Sequence, residues 1–268
     1  MDKIICFNYK YDSDYADRIH ILEEYGFDGV FIYSQYKPKE YIDLILDSSL
    51  SIETLHLPYK RFVNDICVDS RYANILWIDG INSSEYVSEL INEVNFAKNY
   101  GIPTVVMHIT GGDTPPPINK VAVENIKKVL RKCEEHEITL CLENLRRLDY
   151  LQYIFEALNS PYLKFCFDSG HASTMTRNLE TFPWDFFGQY LHCVHLNDND
   201  GINDQHQIPF SGNINWATLI NKIFSYNQKL NLTLEVRSST EERETTKEVD
   251  FIKNCYDSLR KLEILLEV

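Results

Sequence analysis

The sequence predicts one α/β domain over residues 1–268, folded as a closed (β/α)8 TIM barrel. Apolar strand-like runs alternate with amphipathic helical segments from end to end, and this unit occurs eight times without a linker. Alternating units imply a parallel sheet, and 268 residues suit a closed barrel, which commonly takes about 250. An open doubly wound sheet usually has a glycine-rich loop after its first strand, whereas KYDSDY follows Tyr9.

The elements follow from hydrophobic periodicity and from residues that start or stop helices. Gly26 and Gly101 end their helical segments, Pro38 lies near the first turn of the second, and Ser83 or Ser84 is expected to cap the third. Strands are predicted at residues 3–9, 28–34, 51–58, 103–109, 138–144, 163–169, 192–198 and 231–237. Helices are predicted at 14–26, 38–50, 83–101, 119–137, 149–160, 183–191, 214–227 and 248–266.

Composition limits the class of protein. The formal net charge is −14, and an acidic surface repels a phosphate backbone, so we expect no nucleic-acid partner. No apolar run is long enough to cross a membrane, and the amino terminus does not resemble a signal peptide. We therefore expect a cytoplasmic protein with reduced thiols, in which the four strand cysteines, Cys6, Cys141, Cys166 and Cys193, fill space in the core.

Six apolar runs end in a side chain that can bind a metal ion. These residues are His56, His108, Glu143, Asp168, His195 and Glu235. Parallel barrel strands point their carboxyl ends at one mouth, so the six side chains are expected to converge. Imidazoles and carboxylates together predict a divalent ion, with Zn or Mn preferred.

Three more candidate ligands follow these strand ends closely. Asp168 begins the motif D-S-G-H, which places His171 three residues later, and the loop after His195 contains Asp204 and His206 as D-x-H. His56, His108 and His171 can instead hydrogen-bond a substrate hydroxyl, and the D-x-H pair can simply order its loop. The sequence therefore leaves open whether the chain binds one, two or three ions.

Arginines near strand ends are candidates for binding an anionic group of a substrate. We interpret Arg147 as a surface residue paired with one of the forty acidic residues. Arg146 lies three residues after Glu143, an odd offset, and Arg237 lies two residues after Glu235, an even offset. The sequence therefore leaves open which of the two arginines faces the pocket.

The whole chain resembles the xylose isomerase-like barrels, which include sugar isomerases and epimerases, inosose and dehydroshikimate dehydratases, and endonuclease IV. The matching segments are HLPY (56–59), MHITGG (107–112), LEN (142–144), FDSGHA (167–172), HLNDNDG (195–201), DQHQIPFSGNINW (204–216) and LEV (234–236). Each segment alone is common, but together they occur in order, each near the end of its own strand.

The resemblance implies a set of roles. Glu143, Asp168, His195 and Glu235 correspond to the central metal ligands of the isomerases and epimerases. In the three-zinc arrangement of endonuclease IV, His56 and His108 would join Glu143 at one ion. The third ion would be held by His171, Asp204 and His206. The chain lacks the glycine-rich opening of that enzyme.

Four functional hypotheses remain. The first is a metal-dependent isomerase or epimerase of a sugar or sugar phosphate, in which Glu143 and Glu235 move a proton next to a carbonyl, an ion stabilises the enediolate, and His171 orients a hydroxyl. A zinc phosphoesterase of the AP endonuclease type and a dehydratase of a sugar-derived polyol are alternatives. The last hypothesis is a non-catalytic binding domain. Whether the chain forms a homo-oligomer stays open.

The charge argument yields a direct prediction about DNA. Duplex DNA carrying an abasic site should bind poorly at submicromolar protein, because 40 acidic residues outnumber 26 lysine and arginine residues and the net charge of −14 repels the phosphates. A filter-binding series over increasing salt measures this. Tight binding with a steep negative salt dependence would contradict the charge argument.

Overall fold

The computed structural model describes residues 1–36, 38–64, 66–176, 179 and 181–267. Eight parallel strands form a nearly closed barrel with helices between them, which confirms the predicted (β/α)8 TIM barrel. The strands are β1 (Lys3–Cys6), β2 (Gly29–Tyr33), β3 (Ser51–His56), β6 (Thr104–Met107), β7 (Thr139–Glu143), β8 (Leu163–Asp168), β9 (Leu191–His195) and β10 (Leu232–Leu234). Their order in the sheet is β10-β1-β2-β3-β6-β7-β8-β9.

The helices differ from the prediction mainly in length. They are α1 (Tyr15–Tyr25), α2 (Ile42–Leu46), α3 (Ile81–Asn99), α4 (Lys120–His136), α5 (Leu148–Ala157), α6 (Ser169–Thr174), α7 (Trp184–Phe187), α8 (Trp216–Tyr226), α9 (Thr240–Thr245) and α10 (Glu248–Leu266). The segment predicted as a helix over 38–50 forms a 3-10 turn and the five-residue α2. Within the described residues, no helix combines the length and apolar character needed to cross a membrane.

Helix ends follow the predicted chemistry at Gly26 after α1 and at Gly101 after α3, but not at the start of α3. Gly26, with φ at 85°, ends α1 in the left-handed conformation that glycine adopts most easily. At α3 the predicted serine cap is wrong, because the helix begins at Ile81 after Gly80. Ser83 is instead buried, where its hydroxyl accepts a hydrogen bond of 2.7 Å from Asn125.

A β-hairpin between β3 and α3 was not predicted. It consists of β4 (Arg61–Val63) and β5 (Ile66–Asp69), which pair antiparallel. Strands of three and four residues are too short to give a clear alternation in sequence. Val63, Ile66 and Val68 are exposed on this hairpin.

The Cα positions separate the chain into two compact units. The terminal unit comprises Met1–Ile32, Pro38–Glu53 and Phe167–Val268, and the central unit comprises Tyr33–Lys37 and Thr54–Cys166. Each unit is described by itself below. That residues 1–268 form a single domain stays a prediction.

In the terminal unit, the ends of β9 and β10 are joined by hydrogen bonds. The N–H of Leu196 donates to the carbonyl of Thr233 at 2.8 Å, and the N–H of Glu235 donates to the carbonyl of Leu196 at 3.0 Å. β1 pairs parallel with β10 and with β2, and α10 packs against α1 and α8. This pairing brings the residues that end β9 and follow β10 side by side.

The loop after β1 is organised by a buried arginine where other α/β proteins use glycine. Arg18, which is 3% exposed, donates to the carbonyls of Phe7 at 2.9 Å and of Tyr11. Its guanidinium also lies 3.5 Å from the carboxylate of Glu248 on α10. The loop therefore takes a fixed path without a flexible residue in it.

In the central unit, β6 pairs parallel with β3 and β7, and α3 packs against α4. Buried side chains hold the loops that follow the strands. The hydroxyl of Tyr86 donates to the carbonyl of Pro58, and the indole of Trp77 donates to the carbonyl of Ile109, both at 2.6 Å. These bonds fix the chain just after His56 and His108.

The cysteines are free thiols, and six of the seven are buried. The four strand cysteines are among them, which agrees with a role in packing. Burial raises the pKa of the Cys6 and Cys133 thiols to about 12. The exposed thiol is Cys67, on the hairpin.

Glu53 on β3 has an unusual environment for a carboxyl group. It accepts hydrogen bonds of 2.7 Å from the Thr233 hydroxyl and 2.9 Å from the Asn231 amide. Burial, reinforced by Cys193, raises the pKa of Glu53 from 4.5 to about 7, although these hydrogen bonds oppose the shift. A raised pKa means that ionised Glu53 destabilises the fold, so its contribution to stability falls as pH rises from about 4.5 to about 7.

We therefore predict that Glu53→Gln stabilises the protein at pH 8 by about 1–2 kcal/mol and that this gain disappears near pH 4. The full pKa shift would correspond to more, but part of Glu53 contacts solvent. Urea unfolding at several pH values measures the difference. The exposed Glu24→Gln is the matched control, and an equal gain in that variant would contradict the assignment.

Candidate metal centre

Asp168, His195 and Glu235 form a buried group in the terminal unit. Asp168 ends β8, His195 ends β9 and Glu235 follows β10. All three are at most 3% exposed, and one ligand atom from each lies within 4.8 Å of the others. The Nδ1 atom of His195 is 3.5 Å from the Oε2 atom of Glu235. The ring of Phe31 stacks on the imidazole, with ring centroids 4.7 Å apart.

Asp168 is held in place by two donors. Its Oδ1 atom accepts from the backbone N–H of His171 at 2.6 Å. This hydrogen bond also caps the start of α6. Its Oδ2 atom accepts from the side-chain amide of Asn197 at 2.9 Å. Partners of this kind orient a ligating carboxylate before an ion binds. Asn197 was not among the predicted site residues, because an amide after a strand has no distinctive sequence signal.

His171, Asp204 and His206 form a second group in the same unit, called here the accessory group. The Nε2 atoms of His171 and His206 each lie 3.4 Å from Oδ2 of Asp204. Burial opposes ionisation of Asp204, but the two imidazoles hold its pKa well below the usual range. The predicted D-x-H motif therefore does bring its side chains to His171.

The accessory group is more open than the other two groups: among the described residues it is not one of those whose ligand atoms all lie within 4.8 Å of one another, and the centroids of its two imidazole rings are 6.3 Å apart. Two atoms bound to one tetrahedral zinc ion at about 2.0–2.2 Å lie about 3.3–3.6 Å apart. The two distances of 3.4 Å to Asp204 fall in this range, as does the 3.5 Å between His195 and Glu235. The donor set of nitrogen and carboxylate oxygen is also the one that zinc prefers.

The tautomer of His206 follows from its hydrogen-bond partner. Its Nδ1 atom lies 3.0 Å from the backbone carbonyl of Glu235, which can only accept, so Nδ1 carries the proton. In the neutral ring, Nε2 then presents a lone pair to the carboxylate of Asp204. Two acceptors facing each other require either a second proton or a cation between them.

His56, His108 and Glu143 form a third group, in the central unit. The Nε2 atoms of His56 and His108 lie 3.1 and 2.9 Å from the same oxygen of Glu143, Oε2. Nδ1 of His56 is 2.9 Å from the carbonyl of Leu57, so this ring also directs Nε2 at a carboxylate. These distances are in the hydrogen-bond range, and the three ligand atoms also lie within 4.8 Å of one another, so the group could hold a metal ion.

Two tyrosines form an aromatic wall around the third group. Tyr33, at the end of β2, stacks on His56 with ring centroids 4.9 Å apart. Tyr59 packs on His108 at 4.2 Å. Tyr59 belongs to the HxxY segment noticed in the sequence, whereas Tyr33 was missed, although its position at a strand end gives the same signal as the histidines.

The structure distinguishes the arginines that the sequence left open. The side chain of Arg237 is 14% exposed and its Nη2 atom lies 3.5 Å from Oε1 of Glu235. Arg146 is 44% exposed and pairs with Asp113. Arg147 pairs with Asp149 on the surface, as interpreted from the sequence. Arg237 is therefore the arginine beside a predicted metal ligand.

A family model confirms what the motifs indicated. The model of the xylose isomerase-like TIM barrel matches residues 19–255, which is most of the chain. The chain belongs to this family. Among curated proteins, the uncharacterized protein y4fM of Sinorhizobium fredii is 26% identical over 164 residues. That match covers 56% of this chain and 52% of y4fM, so it spans about half the length of the relative.

Solved structures show the same fold. D-psicose 3-epimerase of Clostridium cellulolyticum H10 aligns with a TM-score of 0.72 at 14% identity, covering 99% of both chains. The 3-keto-D-glucoside 4-epimerase YcjR of E. coli aligns at 0.71 and 17%, covering 98% of this chain and 100% of YcjR. The IOLI protein with a binding zinc atom aligns at 0.72 and 14%, covering 97% of both. Sugar epimerases and a zinc-bound protein are thus among the structural neighbours.

The buried terminal group generates a prediction about metal content. We expect His195→Ala to lower zinc affinity at least about 100-fold, because the change removes a ligand from a buried site. Elemental analysis of protein purified without chelators measures the loss. His192→Ala is the matched control on the same strand, because His192 is exposed. Full zinc content in the His195 variant would remove this residue from the ligand set.

Proposed function

We propose that this chain is a metal-dependent isomerase or epimerase that acts on a sugar or sugar-like ketone. The observation that carries the proposal is the buried convergence of Asp168, His195 and Glu235, with ligand atoms within 4.8 Å of one another. Sugar epimerases among the structural neighbours support the same reaction class. Zn and Mn are the ions that this donor set suits best.

We assign Glu143 as the fourth ligand of this site. In the parallel pairing of β7 with β8, Glu143 is opposite Cys166. Asp168 is two residues beyond Cys166 on the same strand, and residues two apart project to the same face. The family resemblance supports Glu143 as the fourth ligand.

A divalent ion held by these four residues would supply Lewis-acid stabilisation of negative charge on neighbouring substrate oxygens. The residues of the chain do the proton transfer. One carboxylate, Glu143 or Glu235, removes the proton from the carbon next to the carbonyl. The other returns a proton, either to the other face of that carbon in an epimerase or to the adjacent position in an isomerase.

The surroundings of the carboxylates favour their role in proton transfer. Burial of Glu235 to 3% exposure keeps bulk water from the transferred proton. Arg237 lies 3.5 Å from Glu235, one of the two carboxylates proposed to move the proton. His171 either orients a substrate hydroxyl or serves as a ligand in the accessory group. Loss of a hydroxyl after the same proton abstraction would make the enzyme a polyol dehydratase.

The accessory group favours a second candidate, a zinc phosphoesterase of the endonuclease IV type. Its distances of 3.4 Å from Asp204 to His171 and His206 match the spacing of ligands on an additional zinc ion. Multiple ions can stabilise both the attacking and the leaving oxygen of a phosphodiester. The net charge of −14 opposes a DNA substrate, so we place this candidate second.

Solvent exchange tests the proposed reaction. Free and phosphorylated ketoses that differ at C3, C4 or C5 should be incubated with the Zn- or Mn-loaded protein in heavy water. We expect deuterium at the carbon next to the carbonyl of at least one substrate, with conversion to its epimer or isomer. The metal-depleted protein is the control. Hydrolysis of a phosphodiester, with no label in any sugar, would replace the proposal by the second candidate.

A further inference from the structure

A pocket of about 460 Å³ lies along α8 in the terminal unit. Residues of α8 and its capping residue Asn215 supply most of the lining, and Leu179 and Trp184 supply the rest. None of the nine candidate metal ligands, all of which are described, lines this pocket, so it is separate from the groups above. Its volume is in the range of small-molecule sites, which is about 300–1,000 Å³.

The apolar part of the lining is built on Trp184, which begins α7 and is 3% exposed. The indole stacks on the ring of Tyr226, with ring centroids 5.7 Å apart. It also packs against Phe167 and Phe182, at centroid distances of 4.7 and 4.9 Å. Three aromatic neighbours therefore hold the indole in one orientation. It offers the pocket a rigid apolar surface on which another aromatic ring packs well.

The indole N–H of Trp184 is a buried donor, and among the described residues it has no hydrogen-bond acceptor. The other two tryptophans of the chain are satisfied: Trp77 donates to the carbonyl of Ile109 at 2.6 Å, and Trp216 donates to Asp198 at 2.8 Å. A buried donor without an acceptor is unfavourable. Because Trp184 lines the pocket, an oxygen atom of a bound compound would supply the missing acceptor.

The polar part of the lining is an exposed face of α8. Thr218, Lys222 and Ser225 follow one another at intervals of four and three residues, so they project from one face of the helix. The Lys222 ammonium lies 5.1 Å from the ring centroid of Tyr226, the ring on which Trp184 stacks. No carboxylate of the described residues forms an ion pair with this ammonium, so its charge is available to a ligand.

We propose that this pocket binds a small aromatic acid. The ring of the ligand packs on Trp184 and Leu219, and an oxygen atom of the ligand accepts from the indole N–H. Lys222 binds the acidic group, with the hydroxyls of Thr218 and Ser225 beside it. A neutral compound would leave the ammonium unpaired, and an acid without a ring would leave the indole surface uncovered. The pocket shares no residue with the proposed reaction, so the inference is independent of it.

Nuclear magnetic resonance of the tryptophan indoles tests the inference on the full chain, labelled with nitrogen-15 and titrated with 2-naphthoate. Three indole N–H signals are expected, and Trp184→Phe identifies one of them. We expect that signal to show the largest downfield shift, because its N–H gains an acceptor. Trp77 and Trp216 are internal controls, since their N–H groups are already bonded. A larger shift of either control, or no shift of the Trp184 signal, would overturn the inference.

A neutral compound of the same shape, 2-naphthamide, tests the role of charge. We expect 2-naphthoate to bind more tightly, and Lys222→Gln to weaken its binding about 2–5-fold, as for an exposed ion pair, with no effect on 2-naphthamide. Lys229→Gln is the matched control, because it removes the same charge from an exposed position outside the pocket. Equal affinity for the two compounds, or an equal loss in the control variant, would contradict the proposal.

A steric variant tests the location. Thr218→Tyr places a ring in the pocket from an exposed position of α8, so it should weaken the binding of 2-naphthoate at least about tenfold. Ala217→Tyr adds the same side chain at the neighbouring exposed position, which does not line the pocket, and should bind normally. Full affinity in Thr218→Tyr, or an equal loss in Ala217→Tyr, would show that the compound binds elsewhere and would refute the assignment.

Discussion

Buried carboxylates at and just after the carboxyl ends of strands are the constraint on which this protein depends. An ionised carboxylate removed from water costs several kcal/mol unless donors or cations surround it. Glu143, Asp168, Asp198 and Glu235 are all at most 3% exposed. The loops after the strands supply the groups that compensate these charges. The conformation of the loops therefore determines which groups face each carboxylate.

The carboxylates differ in the groups that face them. Asp198 accepts hydrogen bonds from four N–H donors, which compensate its charge. Asp204 and Glu143 instead face imidazole nitrogens whose tautomers are set by backbone carbonyls on the far side of His206 and His56. A carboxylate facing a lone pair is a position prepared for a proton or a metal ion. Two aspartates a few residues apart in the chain thus have opposite surroundings.

Much of the fold and of the site could be predicted from the sequence. The alternation of elements indicated the barrel, and strand-terminal His56, Asp168 and His195 do lie in groups of side chains that could hold a metal ion. The D-x-H motif also reaches His171 as expected. These successes rest on periodicity and on residue types with few other uses inside a protein.

Other features had no local signal. The hairpin at Arg61–Asp69 is too short to show a pattern, and the choice between Arg146 and Arg237 depended on where each side chain is buried. The hydrogen bonds of Asp198 had no sequence signal, because aspartate after a strand commonly caps a turn. Its donors lie up to eighteen residues away, at Trp216, and only the folded loop brings them together.

The distribution of thiols has a practical consequence for handling the protein. Six cysteines are buried, and burial keeps the thiols of Cys6, Cys133 and Cys255 protonated at any ordinary pH, so they react slowly with electrophiles. Cys67 is exposed on the hairpin. A maleimide dye added to the native protein would therefore mark one surface position, giving a fluorescent derivative with single-site chemistry and no need for mutagenesis.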